Sequence, residues 1–152
     1  MWNLIRGIFN RNAKPGEDRP HDDEPTTRSW SNAIADMTRM SNTAVATLTI
    51  NELTQENGAE QLAELLDDLG QCGASHFVLD IQNVQYMDTA CLGCLVEALN
   101  TMAKSGGKIA LANADHSVKY VFKLTRLDRV FPICGDVMSA IDAVEGRTRM
   151  AG

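Results

Sequence analysis

The side chains best suited to chemistry lie in one stretch, residues 84–93, between a run typical of a strand and a run typical of a helix. Asp88 and Thr89 stand where the helix is expected to begin, and both residue types cap helix N-termini. The first N–H groups of a helix are unpaired and carry partial positive charge, so an anionic group is favoured there. Thr89 therefore has two interpretations: a plain capping residue, or a hydroxyl regulated by phosphorylation.

Cys91 and Cys94 form a C-x-x-C spacing in the same stretch. Such a pair supports redox chemistry or half of a metal site, and the pKa of a thiol in the first helical turn tends to fall. Free cysteine is also a common small buried hydrophobe, and His76 and His116 do not have the spacing that a zinc site needs. We predict that the cysteines pack in the core, with thiol reactivity or metal binding as alternatives, and that the protein has no metal or other cofactor.

Asp115, His116 and Ser117 contain the residue types of a catalytic triad. A triad is defined by the geometry of its three side chains, which neighbouring positions in the sequence do not provide. We predict instead that Asp115 caps the helix that follows it. Residues 104–108 contain two lysines and two glycines but lack the spacing of a phosphate-binding loop. We therefore predict that neither of these two segments is catalytic.

A predicted βαβ unit positions these residues. Residues 76–81 form a short apolar run of strand type, residues 89–104 have helical spacing of apolar side chains, and residues 108–112 form a second apolar run. Two strands joined through a helix pair in parallel with a right-handed crossover.

The remaining pattern predicts a hairpin before this unit and helices after it. We predict paired strands at 33–40 and 43–50, with a helix as the alternative for 33–40. We also predict helices at 59–69 and 117–124, an edge strand at 130–133, and a last helix capped by Asp136. The fold class that follows is α/β: a small mixed sheet of four to five strands packed with about four helices.

Composition limits the classes of protein that remain. The chain has 152 residues, with 14 basic and 20 acidic side chains, a formal net charge of −6 and 44% hydrophobic residues. These values suit one folded domain plus a tail. The acidic balance argues against generic nucleic-acid binding, which depends on basic patches, and no apolar run is long enough to span a bilayer.

The first 29 residues differ from the rest. Residues 13–29 contain three of the four prolines and almost no apolar side chains, so we predict that they are disordered. Residues 1–12 are amphipathic. They form a weak contact with a membrane surface or with a partner, or they pack only loosely. We therefore divide the chain into an N-terminal extension, 1–29, and a domain, 30–152.

The cysteines indicate where the protein is found. The chain has four of them, and residues 1–12 have an arginine within the apolar stretch and no small-residue cleavage site. A domain of this size and hydrophobicity does not need disulfides for stability. We expect reduced cysteines and a cytoplasmic location.

Residues 78–99, VLDIQNVQYMDTACLGCLVEAL, resemble the signature of STAS domains, the fold of bacterial anti-sigma-factor antagonists. Asp88, Leu92 and Gly93 match the family's hydrophobic-Asp-Ser-Ser-Gly-Leu-Gly pattern, whereas Ala90 and Cys91 depart from it. Residues 106–133, GGKIALANADHSVKYVFKLTRLDRVFPI, resemble the family's downstream pattern of a strand, a helix and Leu-Thr-x-Leu-Asp. The likeness covers residues 33–144.

The resemblance implies a regulatory protein that is not an enzyme and has no catalytic residues. It also implies control by phosphorylation at Thr89, which stands in the place of the serine that the family's partner kinase phosphorylates. Its expected partner is an anti-sigma factor with serine/threonine kinase activity. The family's partner-contacting aspartate has no clear counterpart, and Glu52 or Glu56 is the expected substitute. The expected contact residues are Asp88, Thr89, Ala90, Cys91, Leu92, Glu52 and Glu56. An accessory subunit or scaffold of a membrane lipid-transport or signalling complex is the alternative function, and a homodimer is a further interaction that we consider.

Overall fold

The computed structural model describes residues 27–31 and 34–146. Residues 1–12 and most of the predicted disordered segment, 13–26, lie outside the described residues. In chain order the elements are β1 (Thr27–Ser31), β2 (Ala35–Met40), β3 (Thr43–Leu48), β4 (Glu52–Leu53), α1 (Ala59–Gln71), β5 (His76–Asp80), β6 (Tyr86–Met87), α2 (Thr89–Ala103), β7 (Ile109–Ala112), α3 (His116–Leu124), a 3-10 helix (Leu127–Arg129), β8 (Ile133–Cys134) and α4 (Val137–Glu145).

The main sheet is mixed, with strand order β1-β2-β3-β5-β7-β8. The pairs β1–β2 and β2–β3 are antiparallel, and β3–β5, β5–β7 and β7–β8 are parallel. The predicted hairpin and the parallel βαβ unit are therefore confirmed. A separate pair of two-residue strands, β4 and β6, is also parallel.

The helices cover both faces of this sheet. Along β5, Phe77 and Leu79 point into the larger core cluster, which includes the buried apolar residues of α1, α2 and α3. Val78, between them, belongs to the second cluster, with Ala140 and Ile141 of α4. Alternate residues of a strand face opposite sides of the sheet, so a continuous apolar strand requires helices on both faces. The α/β fold class predicted from the sequence is confirmed.

Strand β1 begins before the predicted domain boundary. Thr27–Ser29 lie in β1, although the sequence predicts disorder for 13–29, and β1 extends the sheet to six strands. The prediction was wrong for these three residues because main-chain pairing with β2 supplies their hydrogen bonds, and side-chain composition does not report such pairing.

The last strand lies later than the sequence predicts. The prediction was 130–133, whereas β8 is Ile133–Cys134. The N–H groups of Val130 and Phe131 donate to the Leu127 carbonyl at 3.0 and 2.9 Å, so a local turn occupies them. Phe131 is apolar because it packs in the core, edge to face with Phe122 at a ring distance of 5.9 Å. Strand β8 does lie at the sheet edge, as predicted.

Candidate functional site

Asp88 lies between β6 and α2 and caps the helix, as predicted. Its Oδ1 atom accepts a hydrogen bond from the Cys91 N–H at 3.1 Å, and its carbonyl accepts the first helical bond, from Leu92, at 3.1 Å. The pKa of the Asp88 carboxyl is lowered, chiefly by the N–H of Gln55 and then by that of Cys91. The carboxylate is thus held in its charged form at the start of α2.

The second oxygen of Asp88 binds a different part of the chain. Oδ2 accepts a hydrogen bond from the Gln55 N–H at 2.8 Å. The Asp88 N–H itself donates to the Leu53 carbonyl at 2.9 Å, and β4 and β6 pair so that Glu52 lies opposite Tyr86. The segment after β3 and the segment before α2 therefore form one surface.

A tight turn over 54–57 fixes the residues beside Asp88. Thr54 and Asn57 exchange main-chain hydrogen bonds of 2.9 and 3.0 Å, and the Thr54 hydroxyl also accepts from the Asn57 N–H at 3.0 Å. Glu56 lies within this turn and Glu52 lies just before it, and both side chains are exposed. The structure thus places both glutamates in the segment that Asp88 joins to the start of α2.

The residues at the start of α2 have different exposures. Thr89 is exposed and Ala90 is half-buried, whereas Cys91 and Leu92 are 0% and 4% exposed. The prediction that Cys91 and Leu92 contact a partner does not fit this burial, because both side chains face the core from the inner side of the helix. Gly93 is exposed, and no heavy atom lies within 4 Å of the position that a Cβ would occupy.

The cysteine pair is part of the packing. Burial raises the pKa of the Cys91 thiol to about 12, and the nearby Asp88 carboxylate adds to this effect. Burial also raises the pKa of Cys94, and both thiols are free. A place in the first helical turn alone would lower the Cys91 pKa, but desolvation and a neighbouring carboxylate outweigh the helix dipole. Cys91 belongs to the main core cluster, as the packing interpretation predicts.

Asp115 and Ser117 support the same surface from α3. Asp115 caps α3 by accepting from the Ser117 N–H at 3.1 Å, which confirms the capping prediction. The Ser117 hydroxyl lies 2.6 Å from Oδ2 of the capping residue Asp115 and 2.8 Å from the carbonyl of Gln85, which lies in the loop before β6. These contacts hold α3 against the residue that precedes β6.

Three features of this surface could not be predicted from residue types alone. Gln55 contributes only a main-chain N–H, which no side-chain pattern can reveal. Gly93 was matched to a family motif, but its open surroundings appear only in the structure. Tyr86 is 53% exposed, and an exposed aromatic residue beside Asp88 is a strong contact candidate.

Comparison with known proteins identifies the fold. The family model described as "STAS domain" matches residues 36–140, more than half of the chain. The chain belongs to the STAS domain family. A Thermotoga maritima relative, assigned as an anti-sigma factor antagonist, is 30% identical over 93 residues, which cover 61% of this chain and 82% of the relative.

Solved structures agree with this STAS assignment. A crystal structure of a Thermotoga maritima protein assigned as an anti-sigma factor antagonist superposes with a TM-score of 0.58 and 27% identity, covering 66% of this chain and 87% of that one. The phosphorylated form of the Bacillus cell fate determinant SpoIIAA superposes with a TM-score of 0.53 and 17% identity, covering 78% and 98%. At that identity the second structure supports the fold alone. Among the described residues of this STAS domain, no helix has the length and apolar character needed to cross a bilayer.

Proposed function

We propose that this STAS domain is a non-enzymatic, cytoplasmic antagonist of an anti-sigma factor, and that phosphorylation of Thr89 controls it. The observation that carries the proposal is the exposed Thr89 side chain at the first position of α2, next to the fixed cap Asp88. The relatives of the chain that are assigned as anti-sigma factor antagonists support the partner class.

The partner-binding area that we propose is the switch surface, defined as the 52–57 segment, Asp88 to Ala90, and Gly93. The bare surface at Gly93 leaves room for a partner's main chain or side chain to approach α2 closely. The turn over 54–57 is held against Asp88 by the hydrogen bond from Gln55, so the surface exists before binding and little ordering entropy is lost when the partner docks.

Charge gives the switch its direction. Glu52, Glu56 and Asp88 already place three carboxylates on the switch surface. A phosphate on Thr89 adds up to about two negative charges at the centre of this surface and occupies the space that a partner needs. The helix N-terminus accepts the phosphate without disturbing the fold, so the modification weakens partner binding and leaves the domain intact.

The partner that this proposed switch requires is an anti-sigma factor with serine/threonine kinase activity. The unphosphorylated domain would sequester the anti-sigma factor and so release its sigma factor. The kinase would then reverse this state by phosphorylating the exposed Thr89 hydroxyl.

The test compares Thr89→Ala and Thr89→Glu with the wild type. Anti-sigma factors are purified from the organism that supplies this protein. The dissociation constant of each domain variant for each anti-sigma factor is measured by calorimetry. We expect Thr89→Ala to bind like the wild type and Thr89→Glu to bind at least about tenfold more weakly, equivalent to about 1.4 kcal/mol.

The matched control is Thr101→Glu, which adds the same charge to an exposed threonine near the other end of α2. It should bind like the wild type. Incubation with the anti-sigma factor and ATP labelled in its γ-phosphate should label the wild type and leave Thr89→Ala unlabelled. Equal affinity of the two Thr89 variants would overturn the switch, and labelling of Thr89→Ala would overturn the assignment of the modified residue.

A further inference from the structure

A second surface of the domain, the α1–α2 groove, lies between these two helices and takes no part in the switch surface. Its volume is about 390 Å³, and its apolar lining includes Leu66, Phe77, Cys94, Ala98 and Met102. Gly70 also lines it, and the nearest atom to a Cβ at Gly70 would be the Phe77 ring at 4.0 Å. The groove therefore has an apolar floor and room for side chains from another segment.

The rim of the groove is acidic. Asp67 of α1 and Glu97 of α2 line it, and both are exposed. Helix α1, AEQLAELLDDLGQ, contains four acidic residues and no basic residue. A segment that fits this groove needs apolar side chains for its floor and cations for its rim.

Residues 1–12, MWNLIRGIFNRN, have this chemistry. They contain no acidic residue and two arginines, Arg6 and Arg11. With helical spacing, five apolar residues would share one side: Trp2, Leu4, Ile5, Ile8 and Phe9. We propose that residues 1–12 dock in the α1–α2 groove of their own chain, with this apolar side on the groove floor and the arginines at the acidic rim.

The path of the chain allows this docking. The described chain begins at Thr27, which pairs with Met40 at the end of β2. Arg39, which precedes Met40 in β2, donates side-chain hydrogen bonds to the carbonyls of Cys72 at 2.7 Å and Gly73 at 3.3 Å. Both of these residues lie directly after α1. The N-terminal segment therefore joins the domain beside the C-terminal end of α1, where Gly70 and Gln71 line the groove.

The connecting residues, 13–26, are long enough to reach the groove. As a random coil they span about 20 Å, and fully extended they span at most about 50 Å. A tether of this length gives the segment an effective concentration of roughly millimolar at the groove, so even a weak intrinsic affinity keeps it bound. This inference does not depend on the proposed switch at Thr89.

The test uses native Cys94, a half-buried lining residue, as a proximity probe. In the full chain with Cys72→Ser and Cys134→Ser, Ile5→Cys places a thiol on the apolar side of the segment. Asn10→Cys, on the opposite side, is the matched control. Under mild oxidation we expect the Ile5→Cys chain to form an intramolecular disulfide with Cys94 at least about tenfold faster than the control.

A second measurement follows the environment of Trp2. In Trp30→Phe, Trp2 is the only tryptophan, and docking should shift its emission to shorter wavelength. The Asp67→Lys, Glu97→Lys double variant should return the emission to that of an exposed tryptophan. Reversing two exposed acidic residues elsewhere, Asp36→Lys and Asp128→Lys, should leave it shifted.

Three outcomes would overturn the proposal. Equal disulfide rates for the two cysteine variants would show no preferred placement of the segment. Disulfide-linked dimers that depend on protein concentration would place the segment in the groove of a second copy. An emission shift that occurs only with phosphatidylglycerol vesicles would assign residues 1–12 to a membrane surface.

Discussion

The Oδ2 atom of Asp88 lies 2.8 Å from the main-chain nitrogen of Gln55, 33 residues earlier in the chain. The other oxygen of the same carboxylate caps α2 through the Cys91 N–H. One side chain thus fixes the 54–57 turn and the start of the helix relative to each other. Since Thr89 is the next residue, a change at its hydroxyl acts on a surface that Asp88 has already organised.

Asp88→Ala should loosen both of these attachments. We expect a lower urea midpoint and faster hydrogen exchange at the amides of Gln55 and Cys91, because each loses its acceptor. Asp115→Ala, which removes the cap of α3, is the control and should leave the Gln55 amide protected. Unchanged exchange at Gln55 in Asp88→Ala would contradict the bridging role.

Acid should weaken the same attachments. The folded state lowers the pKa of Asp88, so its contribution to stability is present above the ordinary carboxyl pKa and is lost as pH falls through the lowered value. Urea unfolding between pH 7 and pH 3 should show a decline below about pH 4. The difference in the free energy of unfolding between the wild type and Asp88→Ala should decrease as the pH falls over that range. A difference that stays constant would contradict the role of the Asp88 charge.

Asp68→Asn should stabilise the domain. Asp68 is 5% exposed, its Oδ1 atom has no hydrogen-bond partner among the described residues, and burial together with Asp67 and Glu64 raises its pKa to about 6. A raised folded pKa means that stability is greatest below about pH 4 and falls as pH rises through about 6. Asp68→Asn should therefore raise the free energy of unfolding by about 1–2 kcal/mol at pH 7.5 and by less at pH 5. Asp36→Asn, at an exposed aspartate of β2, is the control for urea unfolding, and a gain at pH 5 as large as that at pH 7.5 would contradict the assignment.

Cys91 should be almost inert to alkylation in the folded protein. With a pKa of about 12, its thiolate fraction at pH 8 is lower than that of an ordinary cysteine by roughly three orders of magnitude, and the side chain is buried. Mass spectrometry of iodoacetamide-treated protein should find Cys72, which is half-buried, modified well before Cys91. A Cys91 rate near that of free cysteine would restore the thiol-reactivity hypothesis.

Gly107→Ala should destabilise the domain, whereas Gly93→Ala should not. A Cβ at Gly107 would clash with the Ser75 carbonyl and lie 3.0 Å from Met102 Cβ, and this overpacking should cost about 2 kcal/mol or more. A Cβ at Gly93, within α2, would meet nothing within 4 Å, so Gly93→Ala should add about 0.5–1 kcal/mol through helix propensity. Urea unfolding at pH 7 measures both, and equal midpoints would contradict the packing at Gly107.

The sequence alone determined the elements whose signal is local. The leucines at 62, 65, 66 and 69 marked α1, and the caps Asp88, Asp115 and Asp136 marked the starts of α2, α3 and α4, because capping and helical periodicity depend on residues within one or two turns. The short motif around Asp88 also resembled the family that the STAS match now shows.

Only the tertiary structure decided the features that depend on residues distant in sequence. The bond from Gln55 to Asp88, the β1–β2 pairing and the turn that holds Val130 away from β8 are main-chain contacts, and side-chain types carry no record of them. The Cys91 pKa shows the same limit: its place in the first turn predicts a fall, but burial against the core raises it, because desolvation is set by the neighbours that the fold supplies.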